Sequence, residues 1–195
     1  MGKLQIYILF AFFAIFTASC SKESQIEGLI ATKPTVVEIN TEILKGTTKT
    51  IPLNINGTVI NLQVASTYSK IGSTETRFGT LTFQGTTGMF PFIPNTSFIV
   101  KAEAGAQPSS PLFNYASYSG YLYYATNTAG TTNYTYVSTN GIQYDNSYYV
   151  PIKLIFGSNL TAPIYAYIQI TLTAEVLTIN KLVYNKVGSV AVGEE

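Results

Sequence analysis

Asn56-Gly57 stands between two runs in which apolar and polar residues alternate: Thr50-Ile51-Pro52-Leu53-Asn54-Ile55 before it and Thr58-Val59-Ile60-Asn61-Leu62-Gln63-Val64 after it. Asn-Gly accepts the two successive positive φ angles of a type I′ turn, whose twist matches that of paired antiparallel strands. The two runs therefore predict a β-hairpin. Pro52 has no N–H for a ladder, so its strand belongs at a sheet edge or begins near that residue. The same period of two returns in Phe78-Gly79-Thr80-Leu81-Thr82-Phe83-Gln84, with Phe78, Thr80, Thr82 and Gln84 on one face and Leu81 and Phe83 on the other. Further strands are expected at 35–39, 89–92, 97–102, 121–124, 134–137, 148–156, 164–173 and 176–184, with loop chemistry across 103–111. The 127–133 segment reads as a loop between two of them. Helical periodicity is nowhere sustained after residue 20. The expectation is about ten short strands, almost no helix, and an all-β antiparallel β-sandwich or jelly-roll-like fold. No fixed-period repeat emerges. A split near 103–111 would leave two small halves, so residues 34–195 are expected to form a single domain.

The chain starts differently. Lys3 precedes an apolar run from Leu4 to Phe16, shorter than the about 20 residues that a membrane-spanning helix needs. A basic start, a compact apolar stretch and small residues at the exit describe a signal peptide over 1–19. Cys20 follows directly and is the single cysteine of the chain. The string Thr17-Ala18-Ser19-Cys20 resembles the lipobox of bacterial lipoproteins, with Thr17 where that pattern usually carries Leu. The resemblance implies cleavage before Cys20 and lipidation there by palmitate-type acyl chains. Two or three such chains hold a protein stably, where a single one binds marginally. Ser21-Lys22-Glu23-Ser24 resembles the polar-acidic export tag of Bacteroidota surface lipoproteins, although only one acid is present. The expectation is an outer-membrane location, with the cell surface favoured and the periplasmic face open. Residues 20–33 then form the lipidated N-terminus and a flexible tether. N-myristoylation does not fit, because position 6 is Ile6 rather than serine or threonine.

Composition removes several classes of function. Charged residues make up 11% of the chain, the formal net charge is +1, and Arg77 is the one arginine. Nucleic-acid binding requires neutralised phosphates and is not expected. Histidine is absent, which excludes imidazole-based hydrolysis and His-ligated zinc. Lipid on Cys20 would consume the only thiol. The acids (Asp145 and glutamates 23, 27, 38, 42, 75, 103, 175, 194 and 195) form no motif of facing carboxyls such as a glycosidase needs. No enzymatic activity, cofactor or metal is expected. Gln143-Tyr144-Asp145-Asn146-Ser147 is a thin donor set for calcium, and Asp145 reads more simply as the start of an Asx-turn. Glu175, between two strands, reads as a turn residue. Gly85-Thr86-Thr87-Gly88 lacks the lysine and following helix of a phosphate loop.

A second resemblance lies near the C-terminus. Tyr149-Val150-Pro151-Ile152-Lys153-Leu154, Tyr165-Ala166-Tyr167-Ile168-Gln169-Ile170, Leu177-Thr178-Ile179, Val183-Tyr184-Asn185 and Val192-Gly193-Glu194 are similar to a recurring C-terminal pattern of secreted and surface proteins of uncharacterised function. Tyr167 stands where that pattern usually has tryptophan, and Ala166 where it has glycine. The likeness implies an extracellular β-sandwich and carries no ligand or activity.

Ten of the fifteen tyrosines fall between Tyr115 and Tyr149. Aromatic faces pack on the C–H faces of sugars, and nearby Asn, Thr and Ser offer hydroxyl partners, so such a surface suits glycans or proteins. Equally, alternate tyrosines can fill the core while the others form cross-strand pairs. Tyr118, Tyr124, Tyr134, Tyr136 and Tyr144 flank the expected loops and are the candidates for a ligand-binding surface. The expected partners are the membrane, through the lipid, and an extracellular glycan or surface protein. The other reading is a structural or assembly component of an outer-membrane complex with no small ligand.

Overall fold

The computed structural model describes residues 33–84, 88–128, 131, 134–136, 146–157, 163–186, 188–193 and 195. Cys20 with its signal peptide and tether, residues 85–87, Tyr144 and Asp145 lie outside the described residues. Lys33–Glu195 forms one compact unit. Its strands are β1 (Thr35–Leu44), β2 (Thr47–Ile55), β3 (Thr58–Ile71), β4 (Thr74–Gln84), β5 (Met89–Pro94), β6 (Ala116–Ser117), β7 (Ser119–Thr128), β8 (Thr135–Tyr136), β9 (Asn146–Phe156), β10 (Ile164–Leu172) and β11 (Val176–Tyr184), with one 3-10 turn at Ser110–Phe113. Two antiparallel sheets pack face to face as a β-sandwich. One runs in the order β1-β11-β10-β9-β5-β6, the other β2-β3-β4-β7-β8.

The hairpin at Asn56-Gly57 forms as its sequence dictates. Asn56 and Gly57 adopt φ angles of 51° and 82°, and Asn54 Oδ1 accepts from the Gly57 N–H at 3.0 Å. Pro52 lies on β2, the edge strand of its sheet, where a missing donor breaks no ladder. The run at 97–102 does not become a strand: Phe98 makes an isolated bridge to Tyr121, Ile99 to Asn95, and Ala102 to Tyr149. This segment is crossing from one sheet toward the other, so no neighbour stays alongside long enough for a ladder. Conversely β7 runs through Thr128, into the stretch whose polar composition read as loop.

Inward positions of both sheets build the core. Ile51, Leu53, Ile60, Leu62, Leu81 and Phe83 meet Ile152, Leu154, Ile168, Ile170, Leu177 and Ile179. Each such side chain, taken out of water, contributes about 1.5–3 kcal/mol before entropy is charged against it. Tyr123 joins this core. Its ring lies over Gly79, the residue opposite on β4, where an added Cβ would come within 2.3 Å of the ring. Its hydroxyl shares a buried 2.9 Å hydrogen bond with Ser66 Oγ. Burial raises the Tyr123 pKa, the Ser66 bond opposing.

The outer face of the six-stranded sheet has a cover of its own. Tyr149 and Tyr167, edge to face with ring centroids 5.3 Å apart, join Val183 beneath Ala102, Ala106, Val190 and Val192. Backbone bonds from Ala102 to Tyr149 (2.9 Å), Gly105 to Val192 (2.7 Å) and Val192 to Ala106 (2.8 Å) hold the covering segments down.

At one end of the sandwich the sheets are fastened by Arg77, which is 4% exposed. Its guanidinium donates to the Ala174 carbonyl in the β10–β11 turn and lies 3.4 Å from Glu175 and 3.9 Å from Glu75. Tyr134 and Tyr68 place their rings around it, 4.9 and 5.7 Å from ring centroid to guanidinium carbon. Lys45 Nζ, from the β1–β2 turn, lies 4.1 Å from the Tyr68 ring centroid. Glu175 is thus a turn residue, as read, and also an ion-pair partner. At the opposite end β1 begins, with Thr35 beside Tyr184 at the end of β11.

Candidate functional site: an uncharged aromatic sheet face

The outer face of the five-stranded sheet has no such cover among the described residues. Alternation decides what stands on it. β2 contributes Thr48, Thr50, Pro52 and Asn54; β3 contributes Val59, Asn61, Gln63, Ala65, Thr67 and Ser69. β4 adds Thr74, Thr76, Phe78, Thr80, Thr82 and Gln84. A bulge opposite Gly79/Thr80 changes the parity of β7, so that strand presents Ser119 and Tyr121 before the bulge and Tyr124, Thr126 and Thr128 after it. Thr135 of β8 pairs with Thr126. None of these residues carries a charge, and threonine is the commonest among them. The charged residues of these same strands, Lys49, Lys70, Glu75 and Arg77, all occupy the alternate, inward positions.

Across the middle of this face runs a row of rings. Phe78 and Tyr124, opposite each other on β4 and β7, lie nearly parallel at 9° with centroids 6.1 Å apart. Tyr121 meets Phe78 edge-on at 5.9 Å and Phe98 at 5.9 Å. Tyr121 is 44% exposed; Phe78, Phe98 and Tyr124 are half-buried. One step farther along β4 and β7 the face sinks into a polar hollow of about 240 Å³, lined by Thr74, Thr126, Asn127, Thr128, Thr131 and Thr135. Asn127 holds its wall in place, donating to the Thr131 carbonyl at 2.7 Å and accepting from the Thr131 hydroxyl. That hydroxyl also reaches the Thr128 carbonyl at 2.9 Å. Rings beside hydroxyls, with no charge between them, can take a ligand that has apolar faces and many hydroxyls.

The five candidate tyrosines part company here. Tyr124 lies in the ring row. Tyr118 is exposed, and its ring lies 4.6 Å between centroids from Phe92 on β5 of the other sheet. Tyr134 is half-buried and turned onto Arg77, because the guanidinium on the inward side offers it a cation. Tyr136 pairs through its backbone with Ala125. Tyr144 falls outside the described residues. Of the other tyrosines, Tyr123, Tyr167 and Tyr184 are buried, so the cluster divides between core and surface. Phe78, Phe98, Tyr121 and the threonine positions were not among the candidates. One signal pointed to them: every charged residue of β2, β3 and β4 has the same parity as the core residues.

No family model matches the chain, and no characterised protein or solved structure matches it either.

Proposed function

We propose that this chain is a non-enzymatic binding module of the cell envelope, anchored by lipid at Cys20, and that the open face of β2-β3-β4-β7-β8 takes an extracellular glycan. The observation that carries this reading is the contrast between the two outer faces. One is covered in part by the chain's own segments, over Tyr149, Tyr167 and Val183, while the other, among the described residues, keeps a charge-free surface of rings and hydroxyls toward solvent. Aromatic contacts of this kind contribute about 0.5–1.5 kcal/mol each beyond the area they bury. The mature chain carrying Cys20→Ala, screened on a glycan array, is expected to show saturable binding. Tyr121→Ala and Tyr124→Ala should each weaken it about two- to tenfold without changing the circular dichroism. No glycan signal, together with co-purification of the wild-type protein with an outer-membrane complex, would favour the structural or assembly reading instead. Membrane association that survives Cys20→Ala would remove the anchor.

A further inference from the structure

We infer that the ligand is an uncharged polysaccharide lying along β4 and β7, with one sugar seated in the threonine-lined hollow and the next on the Phe78–Tyr124 pair. This deepens the glycan-binding reading and rests on it. The hollow, at about 240 Å³, is smaller than the range typical of pockets that enclose whole ligands. It has room for a single ring, and the rest of a chain must lie on the open face. Thr126 in the hollow and Tyr124 in the ring row are two residues apart on one face of β7. That spacing is about 6.8 Å, on the scale of one sugar unit.

The chemistry of the walls selects against charge. Threonine hydroxyls each offer one donor and two acceptor positions, the same complement as a sugar hydroxyl. An anionic sugar would have to shed water here without gaining a cation, since neither the hollow nor the outward positions of these strands supply one. Arg77, on the same strand, faces the other way and is engaged with Ala174, Glu175 and Glu75. The Asn127–Thr131 bonds already set the wall, so little ordering is left for binding to oppose.

The test uses the full mature chain with Cys20→Ala, in affinity electrophoresis and calorimetry. The probes are soluble neutral polymers (a β-glucan, a galactomannan and dextran) and anionic ones (polygalacturonate and alginate), at low and high salt. At least one neutral polymer is expected to bind with an affinity that salt leaves within about twofold. Thr126→Val, which removes a hydroxyl but suits a strand, should weaken it about tenfold, while Thr178→Val, on the outer face of the other sheet, leaves it unchanged. Thr135→Val on the facing wall is the second variant should Thr126→Val fail to fold. Tighter, salt-sensitive binding of the anionic polymers would overturn the neutral ligand while leaving glycan binding standing. Loss with Tyr124→Ala but not with either threonine variant would overturn the hollow. Binding of no polymer at all would overturn this inference and the glycan reading together.

Discussion

Replacing Arg77 by methionine keeps an apolar stem of similar reach and removes the charge, so it isolates what the guanidinium does for the fold. Three contributions are lost. The charge-assisted bond to the Ala174 carbonyl is worth about 1.5–3 kcal/mol. Contacts with the Tyr134 and Tyr68 rings add about 0.5–1 kcal/mol each. The ion pairs add less: the Glu175 carboxylate is 68% exposed and returns to water when its partner leaves, and Glu75, 3.9 Å away, keeps Tyr68 and Lys70 as partners. We expect Arg77→Met to cost about 3–4 kcal/mol. At about 2–4 °C per kcal/mol for a domain of this length, that is a fall in Tm of about 6–16 °C. Glu175→Gln should cost less than about 1 kcal/mol, and Tyr134→Leu about 0.5–1 kcal/mol. Urea unfolding followed by circular dichroism measures all three. If Arg77→Met melts within about 2 °C of wild type, or if Glu175→Gln costs as much as Arg77→Met, the buried fastening described here is refuted.

Gly79→Ala puts a methyl 2.3 Å from Tyr123 Cε1 and 2.7 Å from Cδ1, against a ring held by Ser66. It should cost about 1–3 kcal/mol, and an unchanged urea midpoint would show that the ring swings aside freely. Tyr123, its pKa raised by burial, makes the fold sensitive to alkali. Below the ordinary tyrosine value of about 10 the folded and unfolded chains both keep the proton, and the contribution is whole. Above it the unfolded chain ionises first, so stability falls as pH rises toward the folded value, at up to about 1.4 kcal/mol per pH unit. Tyr123→Phe should lose about 1 kcal/mol at neutral pH yet show a shallower alkaline decline; an identical decline in the two proteins would refute the assignment.

Local signals carried most of the fold. Asn56-Gly57 set the register of the hairpin, and the alternation of Phe78 to Phe83 sorted that strand's inside from its outside as the structure has it. The site was harder to read because it depends on which strands become neighbours. Phe78 faces Tyr124 only through the β4–β7 pairing, and Tyr121 joins them only because a bulge in β7 shifts its parity. Neither fact leaves a local trace. Tyr134 illustrates the converse: polar neighbours suggested exposure, but a cation on a distant strand captured its ring. The 97–102 segment had the composition of a strand, but its bridges go to three different neighbours, so no ladder forms.

The direction of β1 has a topographical consequence. The strand starts beside the end of β11 and runs to the Lys45-Gly46 turn, toward the end that carries Gly72, Thr128 and Glu175. Its ten residues amount to about 33 Å of rise, so within Lys33–Glu195 the threonine hollow and the start of this strand stand at opposite ends, a strand's length apart.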